Sequence, residues 1–173
     1  MGVYSVLLPD SKILRRVAGF KSVAILGCPV CANSSIAYDK DIPLSRVLLN
    51  KNTGETVRAP VAIMEEANRL KTLLESKGTN VRVEVPFMPC VVSVEREQAD
   101  RELAERCSQV EAVVTLCCAG GTLGIKRRLG KTVKVIPGMR TAGLSLIYAV
   151  FDEATGFIYM DKNRSKMIRM FKE

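Results

Sequence analysis

The chain has 173 residues, 47% of them hydrophobic, which is enough for one packed core and too few for two comfortable ones. A formal charge of +8 favours acidic partners through long-range steering, while aromatics at 5% and the absence of tryptophan leave no stacking platform for nucleic acid. The absence of histidine excludes His-ligated metal, Cys-His or Ser-His nucleophile pairs and imidazole acid–base chemistry.

No apolar run reaches the length of a membrane span, and the opening MGVYSVLLPDSK lacks the basic stretch, apolar segment and small-residue cleavage site of a secretory leader. A cytoplasmic protein is expected on these grounds. In that compartment Cys28, Cys31, Cys90, Cys107, Cys117 and Cys118 point to metal binding or buried packing rather than to disulfides.

In chain order, Asp10 or Ser11 caps a helix to about Ala18, with Ile13, Leu14 and Val17 on one face and Gly19 ending it. The continuous apolar run at 23–26 predicts a strand covered on both faces. It opens at Gly27 into Cys28-Pro29-Val30-Cys31, a turn or helix start reaching Ser35. Residues 38–60 carry turn residues around an apolar patch at 47–49 and read as an insertion or loop. From Val61 the spacing of Met64, Ala67, Leu70, Leu73 and Leu74 predicts a helix that Gly78 stops. VRVEV at 81–85 alternates, a second strand that ends at Cys90.

Ser93 caps a charged helix to about Ser108, with Glu95 and Glu97 in its first turn and Cys107 on its inner face. AVVTL at 112–116 is a third buried strand and runs straight into Cys117, Cys118, Ala119, Gly120 and Gly121. Residues 122–129 are helical, Gly130 breaks them, and VKVI at 133–136 is a fourth strand. Residues 141–151 are apolar and of helix length. Residues 157–173 form a turn and a basic amphipathic C-terminal segment, read as a terminal helix packed on its own domain, with docking to a partner or a membrane surface as the alternative. The sum is a single α/β domain over 1–173 with a Rossmann-like, mostly parallel sheet of about four strands and flanking helices.

Three strands run into cysteine, and parallel strands bring their carboxyl ends to one sheet edge. Cys28, Cys31, Cys90 and one of Cys117 or Cys118 are therefore expected to form a four-thiolate site for an iron–sulfur cluster or structural zinc. Against this stand a redox dithiol at Cys28 and Cys31 and plain burial of the isolated thiols, the reading given to Cys107. In CCAGGTLG, Gly120 and Gly121 offer backbone N–H groups to an anion, or allow close approach to a cluster or flavin, but the Walker lysine is lacking. Arg140 and Thr141 reach the same edge, either as contacts for an anionic ligand or partner or as a solvated arginine and a capping threonine.

The order KILRRVAGFKSVAILGCPVCA, MPC, LCCAGG and VIPGMRT, over roughly residues 12–145, resembles the small metal-binding subunit or C-terminal domain associated with methylenetetrahydrofolate reductase of acetogens and related anaerobes. The resemblance implies a cysteine-bound metal, generally iron–sulfur, beside a flavoprotein reductase subunit. It matches Cys28 and Cys31 to the family's first pair, Cys90 to its mid-chain cysteine and Cys118 to the cysteine after the third strand. Cys117 falls where the family has a small residue, so the resemblance favours Cys118 as ligand.

Two departures matter: Ser35 stands where the family often has a third cysteine, and a basic tail replaces the cysteine-rich C-terminal extension, so a second cluster is not expected. Hydride chemistry on folate needs a flavin or nicotinamide, and the chain has neither a dinucleotide fingerprint nor the length of a barrel. The expected function is that of a non-catalytic subunit of a methylenetetrahydrofolate reductase-type complex. It would carry a four-iron four-sulfur cluster and serve a flavoprotein reductase in folate-linked one-carbon metabolism, with an acidic ferredoxin-like donor. A structural zinc-binding scaffold subunit and a small-anion or nucleotide-binding α/β module are the alternatives.

Overall fold

The computed structural model describes residues 2–49, 54–86, 89–90 and 97–171, with the backbone alone at 99 and 100. Its elements, in chain order, are β1 (Gly2–Leu7), α1 (Asp10–Val17), β2 (Ser22–Gly27), α2 (Cys31–Lys40), β3 (Ser45–Leu49), β4 (Thr56–Pro60), α3 (Ala62–Glu75) and β5 (Asn80–Glu84). There follow α4 (Glu97–Ser108), β6 (Ala112–Leu116), α5 (Ala119–Leu129), β7 (Lys134–Pro137), β8 (Met139–Leu146), β9 (Ala149–Asp152), β10 (Phe157–Met160) and β11 (Lys166–Arg169). The expected Ser93 cap lies outside the described residues.

The two most continuous apolar runs become the centre of a four-stranded parallel sheet, in the order β5-β2-β6-β7. Strands covered on both faces have no solvent side to mark with polar residues. Accordingly Val23, Ala24, Ile25 and Leu26 of β2 and all five residues of β6 are buried. Helix α3 lays Ile63, Leu70 and Leu74 into this core, as its apolar spacing requires. Its buried Glu66 is held by Lys40 of α2 and by Arg69, whose guanidinium also forks onto Asp10 of α1 through two bonds of 2.8 Å. Three helices are thereby tied together, and the buried carboxylate is compensated, as it must be.

Two antiparallel sheets accompany the parallel one: β1-β8-β11 and β4-β3-β10-β9. The mixed α/β class is as expected, but a mostly parallel, Rossmann-like sheet describes one of three sheets among the described residues. Several elements differ from the sequence reading. Residues 141–151 form β8 and β9 rather than a helix. Over the second half of β8, Gly143 and Ser145 are buried while Leu144 and Leu146 are exposed, a period of two that the run of apolar letters conceals. Gly143 lies so close to β11 that a Cβ on it would stand 1.8 Å from the carbonyl oxygen of Ile168.

The tail likewise forms β10 and β11 rather than a terminal helix, because edges of β3, β9 and β8 are available to pair it. The described residues of 38–60 do not form a loop. The helix that starts at Cys31 runs on to Lys40, and β3 and β4 then pair antiparallel. The N-terminal strand β1 has no counterpart in the sequence reading. No helix among the described residues is long and apolar enough to cross a membrane.

Candidate functional site

Parallel register fixes the heart of the site. Gly27 of β2 pairs with Leu116 of β6, so Cys28 and Cys117 are the next residues beyond adjacent strand ends. The Cys28 amide donates to the Leu116 carbonyl at 3.0 Å, and Cys117 Sγ lies 3.6 Å from the Leu26 carbonyl oxygen. Cys31 is the first residue of α2 and Cys118 is the N-cap of α5, so two helices begin at this edge. All six cysteines are free thiols.

Cys90 arrives by a different route from the one expected. Strand β5 stops at Glu84, six residues short of it, where Pro86 and Pro89 interrupt the ladder's donors. The segment at 89–90 instead packs on α5: Arg128 donates to the Pro89 carbonyl, and a Cβ on Gly124 would lie 2.2 Å from that same oxygen. A Cβ on Gly120 would lie 3.7 Å from Cys90 Cβ and 3.9 Å from Cys118 Sγ. Cys90 is exposed, Cys31 half-buried, and Cys28, Cys117 and Cys118 are buried.

Electrostatics connect the five thiols. Burial pushes the Cys28 thiol up, with the nearby Cys31 and Cys118 adding to the rise, while the amides of Val30 and Ala32 pull it back. Burial raises Cys117 furthest, reinforced by Cys28, Cys118 and Cys90. Cys118 is raised by burial and by Cys31 and Cys90, against the amides of Gly121 and Gly120, which favour its thiolate without closing a formal cap bond. Several thiolates crowded at one buried edge repel one another, and a soft cation is the natural relief. The donor chemistry thus suits iron–sulfur or zinc. As the side chains stand, no three metal-binding groups among the described residues are close enough together to hold one ion.

Gly120 and Gly121 lie in the first turn of α5, which starts at Ala119, earlier than the sequence reading placed it. A Cβ on Gly121 would approach Cys117 Cβ to 2.9 Å, so this position lets the helix sit against the thiol. Thr141 is a capping residue: its Oγ1 accepts the Ala119 N–H at 3.1 Å from across the β8 strand. Arg140 pairs with Val6 of β1 and lines a cavity next to that helix start.

Ser35, where the resembled family often has cysteine, has a structural task. Its hydroxyl accepts the Ser5 N–H at 3.0 Å and donates to the Cys31 carbonyl at 2.8 Å, pinning β1 to α2. A Cβ on Gly2 would lie 3.6 Å from Cys31 Sγ, so β1 walls that side of the site. Sequence reasoning missed this wall, and it also missed Lys12 and Arg16 beside Arg140. Their i,i+4 spacing on a helix that packs on β7 was the available signal. Cys107 is fully buried on α4 and stays with the core. No family model, curated protein or solved structure matches the chain.

Proposed function

We propose that the chain is an accessory protein that holds one iron–sulfur cluster and exchanges single electrons with a flavoprotein reductase in folate-linked one-carbon metabolism. The observation that carries this reading is the gathering of Cys28, Cys31, Cys90 and Cys118 around one sheet edge, with Cys117 behind them. A four-iron four-sulfur cluster on these four thiolates would supply one-electron transfer. The folate-linked partner, a methylenetetrahydrofolate reductase-type complex, rests on the sequence resemblance.

The chain's own residues divide the remaining work. Burial of Cys28 and Cys118 keeps water from the donors, and the amides of Val30, Ala32, Gly120 and Gly121 favour their ionised forms. Cys90 is exposed and leaves one side open to a partner. A net charge of +8 draws an acidic donor such as a ferredoxin-like protein, and that association weakens as salt rises. Cys117 Sγ is turned toward the Leu26 carbonyl, which leaves Cys118 as the better fourth ligand.

Anaerobic reconstitution followed by iron, sulfide and zinc analysis tests the reading. A brown protein with about four irons and four sulfides per chain is expected. Cys118→Ser should lose most of the bound iron and Cys117→Ala should keep it. A colourless protein with one zinc would move the site to a structural role, and a folded chain that takes up neither metal would refute both.

A further inference from the structure

A cavity of about 560 Å³ opens between α1 and the start of α5, beside the thiol corner but separate from it. Three cations line it: Lys12 and Arg16 from α1, and Arg140 from β8. Leu8, Leu123 and Met139 supply apolar wall, and no acidic side chain of the described residues is part of the lining. The neutral polar groups there are already engaged. Thr141 caps the Ala119 amide at 3.1 Å, and the Thr122 hydroxyl bonds that of Thr115 at 2.9 Å.

The anchor for a ligand is therefore the Lys12 and Arg16 pair rather than the helix start. Lys12 and Arg16 stand four apart on one helix, where like charges repel, because the amphipathic pattern of α1 commits Ile13 and Val17 to the core. An anion between them would turn that repulsion into attraction. The paired charges of Lys12 and Arg16 match a dianion better than a single carboxylate, and the guanidinium fork is shaped for phosphate oxygens. The volume suits a small organic ligand, and the apolar wall needs a non-polar body to fill it. We propose that this cavity binds a phosphomonoester that carries an apolar group. The site shares the first turn of α5 and its Thr141 cap with the thiol corner and does not depend on a metal being bound there.

Titration of the full chain with phenyl phosphate, followed by two-dimensional amide NMR, tests this. Inorganic phosphate, benzoate and phenol serve as comparators. Phenyl phosphate should shift the amides of Lys12, Leu123, Met139 and Arg140 and bind about tenfold more tightly than each comparator. Arg16→Gln should weaken it about tenfold, the worth of one charge-assisted contact, while Arg15→Gln on the same exposed turn should leave it unchanged. Both positions are exposed, so both variants should fold. Equal losses in the two variants, shifts scattered over the other basic surfaces, inorganic phosphate binding as tightly as the phenyl ester, or no saturation would each overturn the proposal.

Discussion

The parallel sheet and the two antiparallel sheets handle apolar residues in opposite ways. In the first, β2 and β6 bury almost everything they carry. In the second, whole faces stay in water: on β4-β3-β10-β9 the register sets Leu48 beside Val57 and Tyr159 beside Val150, each 40% to 50% exposed. All six cysteines belong to the parallel-sheet region, and none lies in an antiparallel strand. The antiparallel sheets contribute by position instead. β1 stands against Cys31, and Thr141 of β8 caps the helix that begins after Cys118. Cys28, Cys117 and Cys118 thus belong to the buried part, and the half-exposed part borders the corner they form.

The widest separation between the regions is expected in stability. Leu26, fully buried in β2, should cost about 2–5 kcal/mol on replacement by alanine, since the surrounding strands cannot collapse into the gap. Ile168 of β11, 55% exposed, should cost no more than about 0.5 kcal/mol in the same assay. Urea unfolding of Leu26→Ala and Ile168→Ala measures both. Comparable losses would mean that β11 belongs to the same tightly packed core, and the contrast would collapse.

Two glycines sharpen the contrast at the site itself. A methyl group on Gly124 would collide with the Pro89 carbonyl, and one on Gly143 with that of Ile168, at 2.2 and 1.8 Å. Neither neighbour is a flexible side-chain end, so the backbone must move, at a cost of about 1–3 kcal/mol in each case. Similar energies should have different functional results. Gly124→Ala should push the segment bearing Cys90 off α5 and lower metal uptake, whereas Gly143→Ala should loosen β11 and leave uptake intact. Metal content per folded chain checks this, and unchanged uptake in Gly124→Ala would remove Cys90 from the ligand set.

This division also accounts for what could be read in advance. β2, α3 and β6 were legible because both-face burial writes itself as continuous apolar letters and an inner helix face as a 3.6-residue period. From that framework alone, Cys28, Cys31, Cys117 and Cys118 fall at one edge. Residues 141–146 defeated the reading because the buried positions of β8 there are Ala142, Gly143 and Ser145. Small residues there admit close neighbours but erase the alternation of large apolar with polar that marks a strand. Cys90 was expected at the end of β5, and the structure brings it beside α5 by another route. It does not end a strand, and what brings it there is Arg128 and the bare Cα of Gly124, partners some 35 residues away that no local pattern announces. The Thr141 cap and the Ser35 bond to β1 are long-range in the same sense.

A pH-dependent effect separates the thiols within the parallel region. Burial pushes the Cys107 thiol up to about 11, with Glu84 adding to the rise, against an ordinary 9.0. A raised value means that folding favours the protonated thiol. Its contribution is complete below about pH 9 and is lost as pH climbs through 11. Over that window the metal-free protein should lose roughly 2 kcal/mol more stability than Cys107→Ala, which has no proton to release there. Cys28, Cys117 and Cys118 are raised as well, but they are common to both proteins and cancel in the difference. Urea midpoints at pH 8, 9, 10 and 11 measure it. Parallel pH curves for the two proteins would show that Cys107 adds nothing to the alkaline sensitivity, and Cys107 would then be a spectator of the packing around it.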